Sequence, residues 1–255
     1  MNALRAAARL LRLALHLCQG LHTLRRRFPG WGAAEREAAI ALWSRQVLCI
    51  LGVHLQVLGE PPPGGPLLVV SNHLSWLDII ALNASKPCRF VSKADVKHWP
   101  VVGQLVAASG TLFIEREKRR DALRVVHHMA ECLQAGDTLA VFPEGTTGEG
   151  QGVLPFHANL LQAAVATHTP VQPVGLAYLR GAGQALLGEA PRHDAPTYIG
   201  DTTLVASIWR TACARDVQAT VHWGEPDRAQ GRDRRAWSEA LRAEVARLAD
   251  QPVAV

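Results

Sequence analysis

From residue 53 to the C-terminus the chain alternates short apolar runs with longer stretches of helical periodicity, and this alternation limits the fold more than any other feature. Runs at 53–58, 67–70, 89–91, 111–114, 138–142, 171–178 and 220–223 read as strands. The run at 67–70 is apolar at every position, as expected of a buried strand. Helical stretches at 79–83, 100–109, 119–133, 157–167, 204–214 and 234–249 separate them, and Trp237, Leu241, Val245 and Leu248 mark the buried face of the last. Gly136 caps one helix, while Pro87 and Pro143 interrupt the pattern where an element should stop. Strands alternating with helices predict one α/β domain over 53–255, with a mixed, largely parallel sheet flanked by helices.

Residues 1–52 differ. The leucine-rich stretch 10–24 is interrupted by Arg12, His16, Gln19 and His22, so it falls short of the roughly 18 apolar residues that span a bilayer. Arg25, Arg26 and Arg27 follow where a signal peptide would carry a small-residue cleavage site. Arg5, Arg9, Arg12, His16, Gln19, Thr23 and Arg26 recur at steps of three and four and form one polar stripe. Leu10, Leu13, Leu17, Leu21 and Leu24 form another face, with Leu4, Leu11, Leu15 and Cys18 near it. Such a helix suits a membrane interface, with arginines at anionic headgroups, or it packs on its own domain with the arginines in water. A second helix is predicted over 34–51, with Gly52 as its stop, making a helical hairpin of 1–52 ahead of the α/β domain.

Charge narrows the partners. The chain of 255 residues carries a net charge of +5, from 27 basic against 22 acidic residues. Only four of the basic residues are lysines, and the first 34 residues hold six arginines and no acid. Nucleic acid, a membrane surface and an acidic protein are all compatible with that excess. No zinc finger, RNA-recognition signature or interleaving of aromatic and basic residues supports nucleic acid. The five cysteines, Cys18, Cys49, Cys88, Cys132 and Cys213, are widely spaced with no CxxC, which argues against a disulfide framework or a zinc site.

Polar clusters stand where strands end: His73 with Asp78, Glu115 with Arg116, and Glu144 with Gly145 and Thr146. In open α/β sheets that edge borders the ligand crevice. A histidine held by a carboxylate is suited to taking a proton from a hydroxyl, although a histidine followed five residues later by an aspartate also arises by chance. The sequence has no G-x-S-x-G elbow and no cysteine in a charged motif; if the site transfers an acyl group, the acceptor hydroxyl, activated by His73, would itself attack, without an acyl-enzyme. Glu144 could meet an acceptor hydroxyl or ammonium group, and Arg116 a phosphate.

Taken in order, Asn72-His73-x4-Asp78, Gly110-x2-Phe113-Ile114-x-Arg116, Phe142-Pro143-Glu144-Gly145-Thr146 and Val171-Gln172-Pro173-Val174-Gly175 resemble the four blocks of the glycerolipid acyltransferase family. The resemblance covers roughly 53–225. It implies transfer of a fatty acyl group from acyl-carrier protein or coenzyme A to a lipid hydroxyl, with 1-acyl-sn-glycerol-3-phosphate as acceptor and no cofactor besides the thioester. His73 would be the general base and Asp78 its partner. Asn72, Lys93, Gly110, Arg116, Glu144, Gly145, Thr146 and His157 would line the acceptor site. The family's N-terminal helices grip a membrane, which implies a peripheral or monotopic enzyme on the cytoplasmic face of the cytoplasmic membrane. Two positions depart from the pattern of members with a phosphate acceptor. Thr147 replaces an arginine, and Phe156-His157-Ala158-Asn159 replaces a basic Phe-Lys-x-Gly segment. Both suit a zwitterionic acceptor such as the family's lyso-ornithine lipid.

Overall fold

A computed structural model describes residues 2–114, 119–181 and 191–251. Seven strands form one sheet: β1 (Val53–Leu58), β2 (Leu67–Ser71), β3 (Arg89–Lys93), β4 (Leu112–Ile114), β5 (Thr138–Val141), β6 (Val171–Arg180) and β7 (Val217–Trp223). Their spatial order is β1-β7-β6-β2-β5-β3-β4. The five strands from β6 to β4 run parallel, β7 is antiparallel to β6, and β1 is parallel to β7. The predicted mixed, largely parallel sheet is therefore present.

The central strand shows why its sequence reads Leu-Leu-Val-Val-Ser. Successive side chains point to opposite faces. Leu67 and Val69 enter one buried cluster, and Leu68 and Val70 enter the other. The helices divide accordingly. On the first face lie α1 (Asn2–Arg26), α2 (Ala33–Leu51), α3 (Leu77–Ser85) and α7 (Leu204–Cys213). On the second lie α5 (Arg119–Gln134), α6 (Gln162–Thr167) and α8 (Arg234–Asp250). The short α4 (Val102–Ala108) packs near α1. Gly175 of β6 allows α8 to cross closely, because a Cβ there would stand 2.4 Å from the Ala249 nitrogen. Element limits differ from the sequence reading in small ways. The last strand begins at Val217 rather than 220, because the parallel ladder with β1 already starts at Val53 opposite Val217, and the helix expected from 157 opens as a 3-10 turn over Ala158–Leu161.

The N-terminal hairpin joins the same core. Ala6, Leu13, Val47, Leu48 and Leu51 are buried in one cluster with Val69, Leu77 and Trp223. His16, 7 % exposed, stacks on Trp43 at 5.1 Å and bonds the Trp43 carbonyl at 3.2 Å. The helix packs on its own domain and its polar stripe divides: Arg12, Gln19 and Arg26 are exposed, whereas Arg5 and Arg9 turn to α7. Arg5 donates to the Cys213 carbonyl at 2.9 Å, and Arg9 donates to the Ala212 and Ala214 carbonyls at 2.9 Å each. The last carbonyls of a helix have no intrahelical partners and carry partial negative charge, so two guanidiniums cap α7. Leu10 and Leu17 pack inward, and the exposed apolar line is instead Leu4, Leu11 and Leu15, at 80, 64 and 57 %. Among the described residues no helix is long and apolar enough to cross a membrane.

Candidate active site

The site grows from the point where β2 stops. Continuing the β2–β5 register from Val70 opposite Val141 by three residues aligns His73 with Glu144. Beyond Ser71 the backbone leaves the sheet, and the Asn72 side chain takes over the ladder. Its Nδ2 donates to the Leu176 carbonyl at 2.9 Å, and its Oδ1 accepts from the Leu176 N–H at 2.7 Å. This corrects the expectation that Asn72 binds substrate. Its amide, 3 % exposed, serves β6 because a strand end beside a longer neighbour leaves backbone groups to satisfy.

The chain then turns into α3, and Asp78 in the first turn of that helix organises the turn. Its Oδ2 accepts from the N–H groups of Leu74 at 2.6 Å and Ser75 at 2.8 Å, and from His73 Nδ1 at 2.8 Å. Its Oδ1 accepts from the Tyr178 hydroxyl at 2.7 Å. Asp78 is wholly buried, and four donors together with the helix N-terminus keep its charge tolerable there. Because an ionised carboxylate only accepts, the proton of neutral His73 sits on Nδ1 and the lone pair on Nε2. The ring lies flat on Phe142, with centroids 4.0 Å apart and planes within 12°, and Phe142 in turn lies 6.0 Å from Phe90. The His73 side chain remains 20 % exposed while the Asp78 side chain it bonds is wholly buried.

Glu144 braces this loop from β5. Its Oε1 accepts the His73 N–H at 2.6 Å and its Oε2 accepts the Leu154 N–H at 2.8 Å. Burial pushes its carboxyl above the usual range, against the pull of those two bonds. Gly145 adopts φ +71°, a left-handed conformation suited to glycine, and Gly148 donates its N–H to the His73 carbonyl at 2.7 Å. Thr146 is exposed at this edge, and the hydroxyl of Thr147 donates to the Tyr198 carbonyl. His157 is exposed, and its N–H bonds the Pro143 carbonyl at 2.8 Å, which sets it beside the same loop. Lys93 is exposed at the end of β3, on the same edge of the sheet.

Gly110 is elsewhere. It precedes β4, at the opposite edge from His73, with φ +76°. Its carbonyl accepts from Arg89 Nε at 2.9 Å, and a Cβ would meet that Nε at 2.8 Å. The expectation that Gly110 lines the acceptor site is corrected to a packing role, because parallel strands carry residues before and after them to opposite edges. Arg116 and Glu115 lie outside the described residues.

Two parts of the site had no signal in the residue spacing. Tyr178 was legible only as a strand residue. The segment 193–200 crosses over the loop: Ser75 donates its hydroxyl to the Pro196 carbonyl, and Tyr198 donates its N–H to the Leu74 carbonyl at 3.0 Å. With Ser75 donating to a carbonyl, its hydroxyl is not aimed at the histidine. Among the described residues no group of three His, Cys, Asp or Glu side chains could hold a metal ion.

The chain also resembles known proteins. A family model described as Acyltransferase matches residues 54–177. The chain is 36 % identical over 249 residues to a 1-acyl-sn-glycerol-3-phosphate acyltransferase of Neisseria meningitidis, covering 95 % of this chain and 94 % of that protein. It is 36 % identical over 232 residues to a lyso-ornithine lipid O-acyltransferase of Pseudomonas aeruginosa, covering 91 % and 83 %. A crystal structure of the 1-acyl-sn-glycerophosphate acyltransferase PlsC from Thermotoga maritima shares the fold, with a TM-score of 0.69 at 20 % identity over 99 % and 98 % of the two chains.

Proposed function

Because the chain belongs to the Acyltransferase family, as its 36 %-identical, nearly full-length relatives show, we propose that it esterifies the free hydroxyl of a lysophospholipid with His73 as general base. The acceptor is 1-acyl-sn-glycerol-3-phosphate and the product phosphatidic acid. His73 Nε2 takes the acceptor's hydroxyl proton as that oxygen attacks the carbonyl carbon of an acyl thioester. A C–O bond forms, the carbonyl electron pair moves onto oxygen, and its return breaks the C–S bond. The imidazolium then gives its proton to the departing thiolate of acyl-carrier protein or coenzyme A. No acyl-enzyme intervenes and no cofactor beyond the thioester is consumed. Asp78 holds the reactive tautomer and stabilises the imidazolium through its 2.8 Å bond to Nδ1. That bond, made by a histidine whose side chain remains 20 % exposed, is the observation that carries the reading.

The enzyme works at the cytoplasmic face of a membrane. The apolar line Leu4, Leu11 and Leu15 of α1 enters the acyl region, with the exposed Arg12, Arg25 and Arg26 at anionic headgroups. Val205 and Trp209 of α7, the helix clamped to α1 by Arg5 and Arg9, stand exposed as well.

Lyso-ornithine lipid is the second reading for the acceptor. Thr147, standing where an arginine would meet a phosphate, has its hydroxyl on the Tyr198 carbonyl. The experiment is transfer of a labelled acyl group to both lysolipids in mixed micelles, by wild type and by His73→Ala. Loss of general-base catalysis lowers kcat by about 100-fold to 10,000-fold. Full activity of His73→Ala overturns the mechanism, and transfer to lyso-ornithine lipid alone overturns the acceptor.

A further inference from the structure

We propose that Tyr178 is a positioning residue that sets, through Asp78, how strongly His73 holds its proton. The proposal rests on the reading of His73 as the base. Asp78 receives three donors on Oδ2 but the Tyr178 hydroxyl on Oδ1, at 2.7 Å. Two of the Oδ2 donors are backbone N–H groups, which no side-chain substitution removes. Tyr178 is therefore the side chain, other than the histidine itself, whose hydrogen bond adjusts the carboxylate.

The geometry makes that hydrogen bond one-directional. Tyr178 is 3 % exposed, on the face of β6 that also buries Val174 and Leu176. A buried phenol needs a partner, and a phenylalanine would fill the same space without one. Burial first, and then the charge of Asp78, push the phenol well above its usual range, so it stays protonated and donates. A donor on Oδ1 spreads the carboxylate's charge and weakens its hold on an imidazolium at Oδ2. Among the described residues, the titratable groups that face the pair include Glu144 from the loop after β5 and Tyr178 from β6. The overlying segment presents the carbonyls of Pro196 and Tyr198 to the loop residues. Glu144 meets the histidine through its backbone N–H, leaving Tyr178 as the group on the carboxylate itself.

The test is the pH profile of kcat/KM in mixed micelles, with lysolipid acceptor and acyl thioester. In Tyr178→Phe the undispersed carboxylate favours the imidazolium, and the acid limb moves to higher pH by about half a unit, with acceptor KM unchanged. Site-specific 3-fluorotyrosine at position 178, a more acidic and stronger donor, moves the limb to lower pH and keeps the question open to measurement should the phenylalanine variant not fold. In an Asp78→Asn background Tyr178→Phe has no effect on the limb, because asparagine carries no charge to disperse. An unmoved limb in both variants, or an equal shift in the Asp78→Asn background, overturns the proposal. Full activity of His73→Ala overturns the base reading instead, so the two failures are told apart.

Discussion

Replacing Glu144 with glutamine tests the brace beneath the His73 loop. In the native protein each carboxylate oxygen accepts one backbone N–H, from His73 at 2.6 Å and from Leu154 at 2.8 Å. Glutamine keeps one carbonyl oxygen and sets its amide group against the second N–H, donor to donor. Leaving a buried N–H unpaired costs about 1–3 kcal/mol. Losing charge assistance in the remaining bond costs about 1 kcal/mol more. Removing a carboxylate whose charged form is penalised by burial offsets part of that cost. The net is about 2 kcal/mol of destabilisation at pH 7, or a fall in Tm of about 4–8 °C for a chain of this size. The pH dependence has a definite sign. The folded pKa of Glu144 is raised above 4.5, so its proton-linked stability is fully present below 4.5 and is lost as pH rises through the folded value. Glutamine lacks that contribution, and the variant's deficit is therefore larger at pH 4.5 than at pH 7. Circular-dichroism melts across that range, with initial rates at pH 7, check both parts. A lower Tm and lower kcat at constant acceptor KM are expected. An unchanged Tm with acceptor KM raised tenfold would refute the brace and make Glu144 an acceptor-binding group.

The other outcomes follow from single contacts. Leu11→Asp with Leu15→Asp abolishes sedimentation with anionic vesicles, while turnover of micellar substrate persists, because both side chains are exposed and far from the His73 loop in the chain. Arg9→Ala lowers stability by about 1–2 kcal/mol in thermal melts, since it removes two bonds to the final carbonyls of α7. A thiol reagent at pH 8, read by mass spectrometry of the folded protein, labels the exposed Cys18 and Cys49 and spares Cys88, whose thiol burial pushes up to about 12.

Much of the His73–Asp78 pair was legible in the residues, and the reason is local. His73 and Asp78 are five positions apart across one strand-to-helix turn, so the turn that the sequence predicts brings them together. The acceptor side was less legible because its residues come from separate strands. Asn72 and Gly110 both stand in blocks that mark the site, yet the first completes a ladder to β6 and the second packs on Arg89 at the far edge of the sheet. A block of sequence says that residues are needed, while strand direction says at which edge they act. The arginine stripe of α1 was only partly legible for a related reason. Helical periodicity sorts side chains by face but does not say which face meets the protein, and the C-terminus of α7 drew Arg5 and Arg9 inward.

By itself the sequence determined the alternating α/β order, the burial of β2 on both faces, and a histidine–aspartate pair at its end. These follow from periodicity and short-range turns, which are properties of neighbouring residues. Only the tertiary structure decided that Tyr178, a hundred residues beyond Asp78, completes the carboxylate's shell, that Glu144 spends both oxygens on backbone, and that Leu4, Leu11 and Leu15 face outward. Each depends on which strands and helices become neighbours, and that is fixed by the packing of two buried clusters on one twisted sheet rather than by any local pattern.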